Sequence, residues 1–324
     1  MTPHPRDVRL DDARAMVSRA VDKAEQLGVR GSIAVVGASG TLISASRLDF
    51  GGPGGMGRAV SKAWISGTQQ LASGVHKDRI AAAPAIMAWG FMQVSPESVF
   101  PGGGGMQILT ESGEILGGIA ASGATVSPFL PAGVAPELVS AEGSPANPED
   151  LIISYALGGP YVGQHGDDTI LWKDRFGDLV VPAEDSLGMK PAPTASHQPE
   201  LLWAKEVCDH VLTLAASRGL EVATVVVDRG GDPIQQDHMD GAVAAATHVA
   251  GAVSRAAARH GMPSHRLADL YGGQAFALAT LHPHRELYVG GGVPLTRDGQ
   301  VVAGLGVGGI EPEEAARLVA DATS

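Results

Sequence analysis

One plan of sequence occurs twice in this chain, and that repetition limits the fold more than any other feature. The front half contains Gly31–Ile43, reading GSIAVVGASGTLI, and the back half contains Val222–Ile234, reading VATVVVDRGGDPI. Each is an apolar strand, a glycine-bearing turn and a second strand, the pattern of a β-hairpin. An amphipathic helix precedes each one. In Leu10–Leu27 the residues Ala13, Met16, Val17, Ala20, Val21 and Ala24 recur at three- and four-residue steps behind Asp11 and Asp12, which suit a helix start. Leu201–Leu220 repeats the plan, and Gly28 and Gly219 lead each helix out toward its strand. Ala-rich helices follow the hairpins at Met56–Gln70 and Ala246–His260. The third shared block is a glycine-rich loop, a strand, a turn and a small-residue strand, at Val99–Ala124 and at Tyr288–Gly309. Three blocks in one order mark a duplication.

The chain of 324 residues suits two domains of ordinary size. The expected boundaries are 1–158 for copy one, 159–199 for an irregular insertion and linker, and 200–324 for copy two. Pro148–Leu157 is read as the closing helix of copy one, because Asn147-Pro-Glu-Asp150 matches the helix start Glu311-Pro-Glu-Glu314. A hairpin is read at Thr169–Val181 and an extended proline-rich linker at Met189–Pro199.

Composition removes several function classes. Hydrophobic residues at 44% and charged residues at 18% fit packed cores rather than disorder. Lys and Arg number 23 against 35 Asp and Glu, a formal charge of −12, which repels a phosphate backbone and argues against nucleic acid as a partner. Cys208 is the sole cysteine and falls in the apolar-periodic stretch Leu201–Ala215, so it reads as a core thiol in a reducing compartment. No stretch approaches about 18 uninterrupted apolar residues and Met1–Asp12 has no apolar signal core, so no membrane contact and a cytoplasmic location are expected. Neither Cys/His zinc spacing nor HExxH is present, and no metal site is expected.

These blocks resemble the GlcG/HbpS (heme-degrading-domain-like) family over nearly all of both copies. The resemblance rests on Val225-Val-Val-Asp228, Met239-Asp-Gly-Ala242 and Gly290-Gly-Gly-Val-Pro294 in copy two. In copy one it rests on Ile33-Ala-Val-Val36, Lys62-Ala63 and Phe100-Pro-Gly-Gly103. It implies an α/β (α+β) architecture of two profilin-like domains, each an antiparallel sheet flanked by helices, and assembly into a homo-oligomer. Heme or a related tetrapyrrole is the ligand class it implies. The copies depart from the pattern differently. Val253 stands where copy one has Lys62, Trp64 replaces an arginine that copy two keeps as Arg255, and His248 replaces a frequent aspartate.

The candidate site residues follow. Gly102, Gly103, Gly104 and Gly290, Gly291, Gly292 either present backbone N–H groups to an anion or merely permit a tight strand start. Lys62, in a small apolar helix, is either a desolvated amine for base or Schiff-base work or a snorkelling side chain. His238 and His248 are candidate ligands or acid–base groups, and His282 and His284 precede the second glycine loop. Asp240, like Asp49, either orients a neighbour or is a turn residue. His76 and Arg79 read as surface groups. Two functions remain open: a heme-type ligand-binding protein, or a cofactor-independent isomerase, hydratase or lyase on a small carboxylic or aromatic acid. In the second, Arg255 or Arg285 would anchor the substrate carboxylate.

Overall fold

A computed structural model describes residues 7–94, 99–100, 102–123, 147–160, 162–164, 199–275, 277, 279 and 286–323. These fall into two compact units, one within His4–Gln198 and one beginning at Pro199. The expected hairpin at Thr169–Val181, nearly all of the linker, and His282, His284 and Arg285 lie outside the described residues.

Copy one runs α1 (Leu10–Gln26), β1 (Ser32–Gly37), β2 (Leu42–Arg47), α2 (Gly54–Thr68), α3 (Ser73–Ala82), α4 (Ala85–Val94), β3 (Gly105–Leu109), β4 (Ile115–Ser122) and α5 (Pro148–Leu157). Its four strands pair antiparallel in the order β3-β4-β1-β2. Strand β1 is buried along its whole length because helices cover both faces. Helix α2 packs on β1, β3 and β4, while α1 and α5 pack on each other and on β2 and β4. Alternation along β1 sends Ala34 and Val36 into the cluster under α2 with Ala59, Ala63 and Ile65. Beneath α1, the stripe Ala13, Met16, Val17, Ala20, Val21 and Ala24 is buried as its spacing predicts.

Copy two repeats the layout with α6 (Pro199–Ser217), β5 (Ala223–Asp228), β6 (Pro233–His238), α7 (Ala246–His260), α8 (Ser264–Tyr271), β7 (Gly292–Arg297), β8 (Gln300–Gly308) and α9 (Pro312–Ala322). Its strand order is β7-β8-β5-β6, again antiparallel throughout. Cys208 is fully buried in α6, as its apolar setting predicts.

The small-residue strands have a steric cause. A Cβ on Gly118 of β4 would meet the Ala63 carbonyl at 2.2 Å, and one on Gly306 of β8 would meet the Ala250 carbonyl at 2.0 Å. Helix backbone therefore lies directly on the sheet in both copies. Even the irregularities repeat. The first hairpin slips register at Val35/Val36 in copy one and at Val226/Val227 in copy two, and β3/β4 and β7/β8 slip at Ile108/Leu109 and Leu295/Thr296.

Candidate functional site

In copy one the polar centre is Lys62. Its Nζ lies 2.7 Å from Glu149 Oε2 and donates to the Ala121 carbonyl at 3.2 Å. Both side chains are about 4% exposed. Glu149 is set in place by its helix: Asn147 caps α5 by accepting from the Glu149 N–H at 2.8 Å, and the helix N-terminus favours the carboxylate. The second carboxylate oxygen accepts the Gly123 N–H at 2.8 Å. Phe100 covers the pair, with Lys62 Nζ 5.8 Å and Arg58 Cζ 5.9 Å from its ring centroid. Each buried charge thus has its opposite partner and one further hydrogen bond, Lys62 to the Ala121 carbonyl and Glu149 from the Gly123 N–H. Lys62 is thereby engaged, and base or Schiff-base chemistry would first have to break its bond to Glu149.

The structure brings the first glycine loop to this same centre. A Cβ on Gly102 would stand 2.7 Å from the Phe100 ring and 3.2 Å from Lys62 Cε; one on Gly104 would stand 2.8 Å from Glu149 Oε2. Gly103 is buried. The second loop is filled differently. Gly290 faces the Pro312 carbonyl at 2.0 Å, Gly291 the Val307 carbonyl at 2.6 Å, and Gly292 the Val253 carbonyl at 2.2 Å, each measured from a Cβ it lacks. Gly104 and Gly291 occupy one position of the repeat and share a positive φ, +95° and +112°. Both loops are strand starts closed by protein atoms. Val253 takes the place of Lys62 in this packing: the carbonyls of both lie against the first glycine of the following strand, Gly105 and Gly292.

The other expected residues are spread out. His238, at the end of β6, is buried with Nε2 3.1 Å from the Val243 carbonyl, while Nδ1 has no partner among the described residues. Asp240 is half-buried in the turn beyond, and His248 is exposed on α7. Arg255 lies over the hairpin turn, its Cγ 3.1 Å from a Cβ built on Gly231, as Trp64 lies over the matching Gly40.

Two sets escape the sequence reading. His76 is buried rather than superficial, because α4 returns the Phe91 ring to 4.9 Å from the imidazole. Its Nε2 is buried without a hydrogen-bond partner among the described residues, and burial, helped by Arg79, lowers its pKa below 6.5, favouring the neutral form. Arg79 itself is exposed, as expected. The second set centres on Glu286, whose side chain is inaccessible to solvent. Its Oε2 accepts from His260 Nε2 at 2.9 Å and from the Tyr288 hydroxyl at 3.1 Å, and Oε1 lies 3.6 Å from Arg259 Nε. Tyr271 donates to His260 Nδ1 at 3.0 Å. The carboxylate opposite Nε2 fixes that tautomer. No single periodic segment contains either set; only the fold assembles them. Among the described residues no three His, Cys, Asp or Glu side chains are placed to hold a metal ion. No described helix is long and apolar enough to cross a membrane.

A duplicated, helix-flanked antiparallel sheet with a separate polar set in each copy defines a tandem α/β domain protein. The chain belongs to the family described as haem degrading protein HbpS-like, whose model matches residues 8–128 and 201–324, one stretch per copy. Among solved structures, a double mutant of HbpS from Streptomyces reticuli is 26% identical and covers 41% of this chain and 96% of its own, with a TM-score of 0.36. Protein ORFY of Klebsiella pneumoniae is 22% identical over 41% of this chain and 95% of its own, TM-score 0.36. PduOC, solved as a heme complex, is 22% identical over 40% and 94%, TM-score 0.36. No curated protein matches the chain at a significant level.

Proposed function

We propose that this protein binds a small ligand of the haem or tetrapyrrole class, and that His76 of copy one would hold its metal. The single observation carrying this is the buried Nε2 of a neutral imidazole with no hydrogen-bond partner among the described residues, the donor that haem iron accepts. The surroundings fit a flat apolar group. The Phe91 ring lies tilted against the imidazole at 51°, and Val75, Ile86 and Met87 on the same two helices expose large apolar side chains. The family's description as haem degrading supports the ligand class. His238 fits less well, since its Nε2 is committed to the Val243 carbonyl, and His248 stands exposed to water.

Bound haem would supply redox chemistry through its iron; His76 would hold it through the imidazole, with Phe91 and Met87 as apolar neighbours. Haem titration into purified protein, followed by absorbance in the Soret region, tests the reading. A shifted, saturable band that His76→Ala abolishes, and that His238→Ala and His248→Ala keep, is expected. An unshifted band in the parent protein, or an unchanged one in His76→Ala, overturns it.

A further inference from the structure

Copy two carries a polar cluster that its scaffold does not need. Both copies share fold, register and loop geometry, yet at the positions of Arg255, Arg259, His260, Tyr271 and Glu286 copy one has Trp64, Thr68, Gln69, Ile80 and Val99. None of those counterparts carries a charge. At these positions copy one packs without a carboxylate, its buried Glu149 lying elsewhere against Lys62, so the fold does not require the one at Glu286 in copy two.

Arg255 supplies the second observation. Its guanidinium is half-buried, and its Nε is buried with no hydrogen-bond partner among the described residues. Burial lowers its pKa, against the opposing pull of Glu286 and Asp232. A cation withdrawn from water without a hydrogen-bonded anion is destabilised until one arrives, and a carboxylate matches its planar fork. Glu286, whose charge acts on Arg255, is joined to His260 and Tyr271 in an ordered relay. Glu286 accepts from Nε2–H, so Nδ1 accepts the Tyr271 hydroxyl.

We propose that copy two holds a site for a small organic carboxylate, with Arg255 as its anchor and Tyr271, backed by His260 and Glu286, as its proton-exchange group. In the forward step a C–H bond beside the substrate's carbonyl breaks and its proton passes to the Tyr271 oxygen. The original Tyr271 proton moves to His260 Nδ1, and the bonding pair remains on the substrate as an enolate. Glu286 offsets the resulting imidazolium, and reversal of the path returns a proton to carbon. No oxidant or cofactor enters. The site lies in the copy that lacks His76, so it stands independently of the haem reading.

The test uses the full chain in deuterated buffer with pyruvate as probe, following loss of its methyl proton signal by NMR. Exchange at least a hundredfold above the buffer rate is expected, falling at least tenfold in Arg255→Gln and to the buffer rate in Tyr271→Phe. Both substitutions leave the haem titration unchanged, which separates failure here from failure there. Circular dichroism of each variant confirms folding, and Glu286→Gln, which keeps the shape of the carboxylate, is expected to slow exchange as well. Exchange at the buffer rate with saturating pyruvate, or an undiminished rate in Arg255→Gln, overturns the proposal.

Discussion

Lys62 and Glu149, 87 residues apart in sequence, meet as a buried ion pair at 2.7 Å. Removing one partner strands the other's charge away from water, so Lys62→Ala should cost about 3–5 kcal/mol of stability. Replacing both with methionine should recover most of that loss, because apolar side chains of similar length leave no charge behind. Urea unfolding of Lys62→Met, Glu149→Met and the double variant measures the coupling directly. Simple additivity would show that the contact contributes nothing specific.

Gly291 tests the glycine loops. Alanine there must hold a positive φ and place Cβ 2.6 Å from the Val307 carbonyl, which should cost at least about 1–3 kcal/mol from backbone strain alone. Gly57, exposed in α2 with open space around it, should behave oppositely, and Gly57→Ala should stabilise by about 0.4–1 kcal/mol. The two shifts in denaturation midpoint should therefore differ in sign.

Acid should weaken the fold through His76. The unfolded chain takes up a proton near the ordinary value of 6.5, whereas burial depresses the folded pKa, so the unfolded state binds more protons below that pH. The contribution is complete above about 6.5 and is lost as pH falls through the lowered value. His76→Leu should flatten this part of the stability profile between neutral pH and pH about 5, read by denaturant titration at each pH.

At alkaline pH the responding group is Tyr288. Burial first, then the negative charge of Glu286 and the hydrogen bond to it, push its pKa from 10.0 up to about 12. Because the folded value is raised, its contribution is full below 10 and disappears as pH climbs toward 12. Ultraviolet titration of the four tyrosines should show one ionising near about 12, absent in Tyr288→Phe.

Local pattern made most of the scaffold legible. The stripe of α1, the hairpins and the closing helix at Pro148–Leu157 all follow from spacing and capping chemistry within a dozen residues. The partners of the polar groups were hidden for the opposite reason. Lys62 stands out as a cation among small apolar residues, but nothing nearby announces that Glu149 neutralises it. His76 sits among Lys77, Asp78 and Arg79, which gave it the look of a surface residue until Phe91 covered it. Glu286, His260 and Tyr271 belong to three separate segments, and no spacing rule joins them. The glycine loops form strand starts, and the carbonyls opposite Gly291 and Gly292 show how closely such a start is packed.

The matched register slips carry historical information. Regular strands can arise independently wherever apolar residues alternate, but pairing does not require a bulge at any chosen step. Val35/Val36 and Val226/Val227 depart from ideal pairing at the same step of their hairpins, and the outer strand pairs do likewise. Copied faults of this kind indicate common ancestry of the halves better than their ideal portions do. The differences in side-chain chemistry were thus laid down afterwards, on a backbone already fixed in its peculiarities.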